Sequence, residues 1–110
     1  MKCIAIDDEP MALEILSSFC QRYGNIELTT FNTPISGMKP DLLCLDVEMG
    51  DVNGVELARD LPQGTLLIFT TAYAEYALDG FDLNAVDFLH KPFSYGRFEK
   101  VVQKAFELHA

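Results

Sequence analysis

Short apolar runs alternate with longer amphipathic stretches along this chain of 110 residues. The runs are continuous rather than alternating in polarity, which is typical of strands covered on both faces of a parallel sheet. Each run is also shorter than an ordinary helix. We therefore predict five strands, at residues 3–6, 26–31, 42–45, 66–69 and 85–89.

Apolar residues recur at helical spacing between and after these strands. The first such segment opens at Pro10, which suits the first turn of a helix, and a stop is expected at Gly24. Two shorter helices are predicted at about 55–61 and 74–80. Ser94 can cap a last helix through its side-chain oxygen. The apolar stripe of that helix consists of Phe98, Val101, Val102, Ala105 and Phe106.

Strands that alternate with helices indicate an α/β fold with a doubly wound parallel sheet. Residues 1–110 are expected to form one domain, because no repeat, linker or low-complexity segment divides them. The apolar stretches are too short to span a bilayer, and the N-terminal run is too short for a signal peptide. We expect a cytoplasmic protein with no membrane partner.

Charge and cysteine content narrow the possible functions. The net charge of −9 repels a phosphate backbone, so this segment is not expected to bind nucleic acid directly. The three cysteines, Cys3, Cys20 and Cys44, lie at apolar positions without metal-ligand spacing. We interpret them as inert core thiols rather than as a redox sensor.

Polar side chains that can carry chemistry follow four of the predicted strands. Asp7 and Asp8 follow the first strand, Asp46 the third, Thr71 the fourth and Lys91 the fifth. Ligands bind at the carboxyl ends of strands in open parallel sheets, so these side chains are expected to meet. Converging carboxylates repel one another unless a cation joins them, and Mg²⁺ prefers such oxygen ligands. A hydroxyl and an ammonium could then hold phosphoryl oxygens during transfer to a carboxylate.

Each of these residues also has an ordinary explanation when it is taken alone. An aspartate at the end of a strand often only forms a turn or caps a helix. The acidic segment 7–9 before Pro10 could be a helix entry, and a lysine before a proline is commonplace. The functional hypothesis therefore depends on the combination found at four strand ends.

Four motifs lie at these strand ends: Ile6-Asp7-Asp8-Glu9-Pro10, Leu45-Asp46-Val47-Glu48-Met49, Phe69-Thr70-Thr71-Ala72 and Lys91-Pro92-Phe93. Together they resemble the motifs of bacterial, CheY-like response-regulator receiver domains, over essentially the whole chain. The longer segment 69–78 resembles the subgroup that carries a LytTR-type DNA-binding domain downstream. The resemblance implies a five-stranded sheet in the order 2-1-3-4-5.

The resemblance also implies a role for each matching residue. Asp46 would accept the phosphoryl group, Asp8 would bind Mg²⁺ directly, and Asp7 would act on the ion mainly through water. The backbone carbonyl of Glu48 would be a further ligand of the metal.

Three residues would respond to the phosphoryl group if the resemblance holds. Thr71 would move toward it, Lys91 would pair with it, and Phe88 falls where the family has an aromatic switch residue. Ordinary strand packing remains a serious alternative interpretation of Phe88, because switching cannot be read from residue type. The resemblance further implies a cis peptide bond between Lys91 and Pro92.

The implied function is that of a signalling phosphoacceptor rather than an enzyme, with at most slow autodephosphorylation. A sensor histidine kinase or a small phosphodonor would phosphorylate Asp46 in a Mg²⁺-dependent reaction. The surface formed by the fourth helix, the fifth strand and the last helix would then change its partner or dimer interactions. In a full-length protein this change would control a LytTR-type DNA-binding domain.

Two other functions stay open at this point. A small Mg²⁺-dependent phosphatase would share the aspartyl nucleophile, but Asp46-Val47-Glu48 lacks a second aspartate two residues on. A degenerate receiver would serve only as a protein-docking module. The full set of site residues argues against this second alternative.

Two departures from the family pattern bear on these expectations. Gly50 stands where the family usually has proline, which would loosen the loop. The connection 32–40 between the second and third strands contains two prolines and a glycine, so the second helix should be shortened or missing. We then expect partly exposed apolar side chains on both strands, covered by a homodimer, by segment exchange, or by Ile35 and Met38 of the same chain.

Overall fold

The computed structural model of the protein describes residues 1–33, 37, 39–49, 52–53, 61, 64–72 and 85–109. The strands of its main sheet are β1 (Lys2–Ile6), β2 (Glu27–Phe31), β3 (Leu42–Asp46), β4 (Leu66–Thr71) and β5 (Asp87–His90). The described helices are α1 (Pro10–Tyr23) and α2 (Tyr95–His109). A short antiparallel ribbon pairs Glu48–Met49 with Val52–Asn53.

The sheet confirms the predicted fold class. Its strands lie in the order β2-β1-β3-β4-β5, and every neighbouring pair is parallel. Because β3 lies at the centre, its carboxyl end is flanked by the ends of β1 and β4. The two shorter helices predicted at about 55–61 and 74–80 fall almost entirely outside the described residues, as does Gly50.

Two apolar layers enclose the sheet. On one face, α1 and α2 pack on side chains of β1, β3, β4 and β5. Phe98, Val101, Val102 and Ala105 of α2 are buried there, as the apolar stripe predicts, while Phe106 is half-buried. The layer on the opposite face consists of Ile6, Leu43, Leu45, Val47, Leu67 and Phe69. The central strands are therefore covered on both sides, as their continuous apolar runs require.

The three cysteines belong to the layer between the sheet and the helices. Cys3, Cys20 and Cys44 are buried and free. Burial, followed by the nearby Cys3 thiol, raises the pKa of Cys20 to about 12. A hydrogen bond with Cys3, together with burial, holds the pKa of Cys44 well above its ordinary value. Thiols with such high pKa values supply almost no reactive thiolate, which agrees with their interpretation as core residues.

The expected exposure of apolar residues beside the connection 32–40 is wrong for the third strand. The side chains of residues 42–45 are at most 3% exposed. Leu43 and Leu45 are covered by the second apolar layer, to which Leu61, Ala85 and Phe88 contribute. The apolar residues of β2 are half-buried, as expected.

The polarity of β2 explains why this edge of the sheet needs little cover. The parallel register pairs Glu27 with Lys2 and Thr29 with Ile4, which places both β2 residues on the face opposite the helices. Polar side chains on that face can stay in contact with water without exposing apolar surface. The described residues of the connection, 32–33, 37 and 39–40, contain no helix, in agreement with a shortened second helix. Ile35 and Met38 lie outside the described residues.

The different burial of β3 and β2 leads to a first testable prediction. Leu42→Ala should lower the free energy of unfolding by about 3 kcal/mol, because it opens a cavity at a fully buried site. Leu28→Ala, at a half-buried position of the edge strand, should cost about half as much or less. Denaturant unfolding with a shared m-value measures both changes. Equal losses would contradict the assignment of the core to the central strands.

Candidate functional site

The strand ends place four predicted residues at one edge of the sheet. Asp7 follows β1, Asp46 ends β3, Thr71 ends β4 and Lys91 follows β5. The parallel ladders fix these ends relative to one another, and the backbone N–H of Lys91 donates to the carbonyl of Thr71 at 2.7 Å. The convergence expected from the topology is therefore present.

Four carboxylates form the acidic part of this site. Oxygen atoms of Asp7, Asp8, Glu9 and Asp46 lie within 4.8 Å of one another. Asp7 and Asp46 are only 1% and 4% exposed, whereas Asp8 and Glu9 reach the surface. Burial and the neighbouring carboxylates both disfavour the charged form of Asp46.

The electrostatic consequence is largest at Asp46. The pKa of Asp46 is raised from its ordinary 3.8 to about 7. Burial is the largest cause, and the neighbouring carboxylate of Asp7 is the next. The Lys91 ammonium and a hydrogen bond from the backbone N–H of Glu48 oppose this rise without reversing it. Asp46 is thus poised between its neutral and charged forms near neutral pH.

The Lys91 ammonium lies among three of the carboxylates. Its Nζ atom is 2.7 Å from Oδ2 of Asp7, 3.3 Å from Oε1 of Glu9 and 3.6 Å from Oδ1 of Asp46. Burial alone would lower the pKa of Lys91, but the carboxylates of Asp7, Asp46 and Glu9 outweigh it and raise that pKa. The Lys91–Pro92 peptide bond is cis, as the family resemblance implies.

Asp7 is buried and has a polar neighbour at each of its carboxylate oxygens. Its Oδ1 atom accepts the backbone N–H of Glu9 at 2.9 Å. Its Oδ2 atom is buried and forms an ion pair with the Lys91 ammonium at 2.7 Å. A buried carboxylate oxygen beside other oxygen donors fits a hard cation such as Mg²⁺.

A cavity of about 350 Å³ opens above the acidic cluster. Its wall is formed by Asp8, Glu9, Asp46, Glu48, Thr71, Ala72 and Lys91. The structure thus brings together at the cavity every predicted site residue except Asp7, which lies buried beside it, and Phe88. Acidic groups, a hydroxyl and an ammonium around one space can bind a cation together with a phosphoryl group.

Phe88 lies away from this cavity, in the second apolar layer. Its ring stacks on Phe69 with the centroids 5.3 Å apart. Packing between β4 and β5 accounts for this arrangement, so the switch role remains a prediction.

Glu9 is the residue of this site to which sequence reasoning gave no role. It stands at the N-cap position of α1, where Ser, Thr, Asp and Asn are preferred, and its side chain makes no capping hydrogen bond. A long acidic side chain at that position, between Asp8 and Pro10, was the available signal. Its contact with Lys91 joins residues 82 positions apart, so the partner could not be read from local pattern.

Residues 3–103 match the family model of the response regulator receiver domain. The chain belongs to this family. Among curated relatives of the receiver are the sensory transduction protein LytT of Enterococcus faecalis, 34% identical over 96% of the chain, and the transcriptional regulatory protein LytR of Staphylococcus aureus, 33% identical over 94%. The chain spans about half the length of these relatives, 48% and 46% respectively. Their names agree with the resemblance to the LytTR-type subgroup.

Solved structures of receiver domains show the same fold. The response regulatory domain of MrkE from Klebsiella pneumoniae superposes with a TM-score of 0.88 at 27% identity, covering 97% of this chain and 96% of its own. TrrA from Thermotoga maritima, solved in complex with Mg²⁺ and BeF, gives a TM-score of 0.80 at 26% identity, covering 94% and 97%. Receiver domains bind Mg²⁺ at an acidic pocket, and the acidic cluster of this receiver has the oxygen donors for it.

No helix in the described part of the receiver is both long enough and apolar enough to cross a membrane.

The raised pKa of Asp46 leads to a prediction for the protein without metal. Between pH values of about 4 and 7 the folded receiver holds a proton on Asp46 that the unfolded chain has released. This stabilising contribution is complete at the acidic end and is lost as the pH rises through the folded-state pKa. Asp46→Asn should therefore raise the unfolding temperature at about pH 8 by at least about 4 °C, and much less at about pH 5.

The control for this prediction is an aspartate shifted in the opposite direction. Although burial opposes it, a hydrogen bond from the backbone of Phe88 and ion pairs with Arg97 and Lys104 lower the pKa of Asp87. Asp87→Asn should therefore lower the unfolding temperature at neutral pH. Thermal unfolding in the presence of a chelator measures both variants, and a loss of stability in Asp46→Asn at pH 8 would contradict the electrostatic account.

Proposed function

We propose that this receiver domain, residues 1–110, is the phosphoacceptor switch of a two-component response regulator, in which Asp46 receives a phosphoryl group. The donor is a sensor histidine kinase or a small phosphodonor, and the reaction requires Mg²⁺. One observation carries this proposal. A buried carboxylate, an acidic cluster, a hydroxyl and an ammonium all converge on one cavity.

The residues divide the chemistry of the transfer among them. A carboxylate oxygen of Asp46 attacks phosphorus, the bond from phosphorus to the donor nitrogen or oxygen breaks, and the donor leaves with the bonding electrons. Asp8, Asp46 and the backbone carbonyl of Glu48 would bind Mg²⁺, with Asp7 acting mainly through water. The ion supplies charge neutralisation between the acceptor and the phosphoryl oxygens.

Thr71 and Lys91 hold the phosphoryl group once it is in place. Lys91 already lies 3.6 Å from Asp46, so a small movement of its ammonium brings it to a phosphoryl oxygen. Thr71 ends β4, also lines the cavity and is buried, which positions its hydroxyl on a rigid element. Both residues act as a pair because β4 and β5 are neighbours in the sheet.

The output of the switch passes through β5 and α2. Phe88 connects β5 to β4 by stacking on Phe69, which lies two residues before Thr71. Next to it, Asp87 pairs with Arg97 and Lys104 of α2 at 3.0 and 3.3 Å. A displacement of Thr71 can therefore reach the surface of α2 through Phe88, and change partner or homodimer contacts there.

The wider context of the switch is also proposed from its relatives. Proteins named LytT and LytR are about twice as long as this chain. We infer that the receiver controls a LytTR-type DNA-binding domain in a longer cytoplasmic protein, and does not itself contact nucleic acid. Phosphatase activity toward other molecules is disfavoured because Glu48, not an aspartate, stands two residues after Asp46.

The assignment of the acceptor is tested by intact mass measurement. Incubation with a small phosphodonor and Mg²⁺ should add the mass of one phosphoryl group to the wild type, and none when a chelator replaces the metal. Asp46→Asn should abolish the addition, because an amide is not a nucleophile of this kind. Asp41→Asn, at the other end of β3, is the matched control and should be labelled normally. Full labelling of Asp46→Asn would refute the assignment.

Magnesium binding tests the roles of the two aspartates after β1. Asp8→Asn should weaken Mg²⁺ binding by at least about tenfold, since it removes a direct ligand. Asp7→Asn should weaken binding less, because Asp7 acts mainly through water. Calorimetric titration measures both, with Asp41→Asn again as the control. Wild-type affinity in Asp8→Asn would exclude it as a ligand.

A further inference from the structure

The backbone of Glu9 accepts the first hydrogen bonds of α1, whereas its side chain lines the cavity. Its carbonyl accepts the backbone N–H groups of Ala12 and Leu13 at 3.1 and 3.3 Å, which begins α1. The side chain makes no hydrogen bond to the helix and instead reaches Lys91 with Oε1 at 3.3 Å from Nζ. The N-cap residue of α1 is thereby a wall of the acidic cavity.

Lys91 has an inner and an outer set of partners. The inner partners are the buried carboxylates of Asp7 and Asp46, and the outer partner is Glu9. The side chain of Glu9 is 63% exposed, whereas that of Lys91 is only 14% exposed. The ammonium therefore lies at the boundary between the buried acid and the rim of the cavity.

A divalent cation and the ammonium compete for the same carboxylates. Lys91 forms ion pairs with Asp7 at 2.7 Å and with Asp46 at 3.6 Å, which are two of the carboxylates that a cation would use. A cation bound among Asp7, Asp8 and Asp46 repels the ammonium at short range. The ammonium then needs another anion, and without one its displacement weakens the binding of the cation.

We propose that Glu9 is a positioning residue that takes over the Lys91 ammonium when a divalent cation enters the acidic cluster. Glu9 already contacts Nζ, so the ammonium can leave Asp7 and Asp46 without losing all of its ion pairs. The cation is bound more tightly because the competing Lys91 ammonium keeps an ion pair with Glu9. This inference rests on the proposed metal site and adds to it a residue that controls access to that site.

Glu9 could also affect the cation in a simpler way, by through-space attraction or by direct ligation. Its carboxylate belongs to the same cluster, with oxygen atoms within 4.8 Å. In either of these cases the effect of Glu9 on the cation does not depend on Lys91. A double-mutant cycle between Glu9 and Lys91 therefore separates the mechanisms.

The experiment measures Mg²⁺ affinity by calorimetric titration in Glu9→Gln, Lys91→Met and the double variant. Glu14→Gln is the matched control, because it removes the same charge from an exposed position on α1. Glu9→Gln should weaken binding about fivefold in the wild-type background and less than about twofold in the Lys91→Met background. Glu14→Gln should change the affinity by less than about twofold. Lys91→Gln serves as a second background, and unfolding temperatures with a chelator verify that each variant is folded.

Two results would overturn the inference alone. Equal weakening by Glu9→Gln in the wild-type and Lys91-substituted backgrounds would show that Glu9 acts on the cation itself. Equal effects of Glu9→Gln and Glu14→Gln would show that only net charge matters. If the wild type bound no Mg²⁺, or if Asp8→Asn bound it as well as the wild type, the proposed metal site itself would fail, and this inference with it.

Discussion

Repulsion among buried carboxylates is the constraint on which the site depends. Asp7 and Asp46 are almost completely removed from water, and two further acids stand at the rim. Charges in such a place are costly unless counter-charges or protons compensate them. The Lys91 ammonium and a shifted proton equilibrium on Asp46 provide that compensation when no metal is bound.

The fold supplies the rigidity that keeps these like charges together. β3 is covered on both faces, and its ladders with β1 and β4 hold the strand ends in register. Relaxing the repulsion by moving Asp46 would shift the central strand against both apolar layers, and packed interiors resist such displacement. The repulsion among the carboxylates is therefore reduced by protons and cations rather than by a displacement of the backbone.

Much of this arrangement could be predicted from the sequence. Continuous apolar runs followed by Asp46, Thr71 or Lys91 predicted both the parallel sheet and the convergence of these residues, because strand direction fixes which ends meet. Long-range contacts between side chains were not accessible in this way. Glu9 meets Lys91 only because β1 and β5 both end at the same edge, and no local pattern specifies which side chains touch there. The expectation that β3 is partly exposed was wrong because it took into account only the shortened second helix, and not the second apolar layer that covers the strand.

The same repulsion explains how one site can respond to several ligands. A proton on Asp46, an ammonium against Asp7 and a divalent cation each reduce the same excess of negative charge, so each weakens the need for the others. A phosphoryl group on Asp46 would add negative charge at the same point, and would strengthen the demand for the cation and for Lys91 together. Under the proposed mechanism, the Lys91 ammonium would pair with Asp7, with Glu9 or with a phosphoryl oxygen according to what occupies the cavity. The proposed states of the switch would therefore differ in which anion holds the Lys91 ammonium.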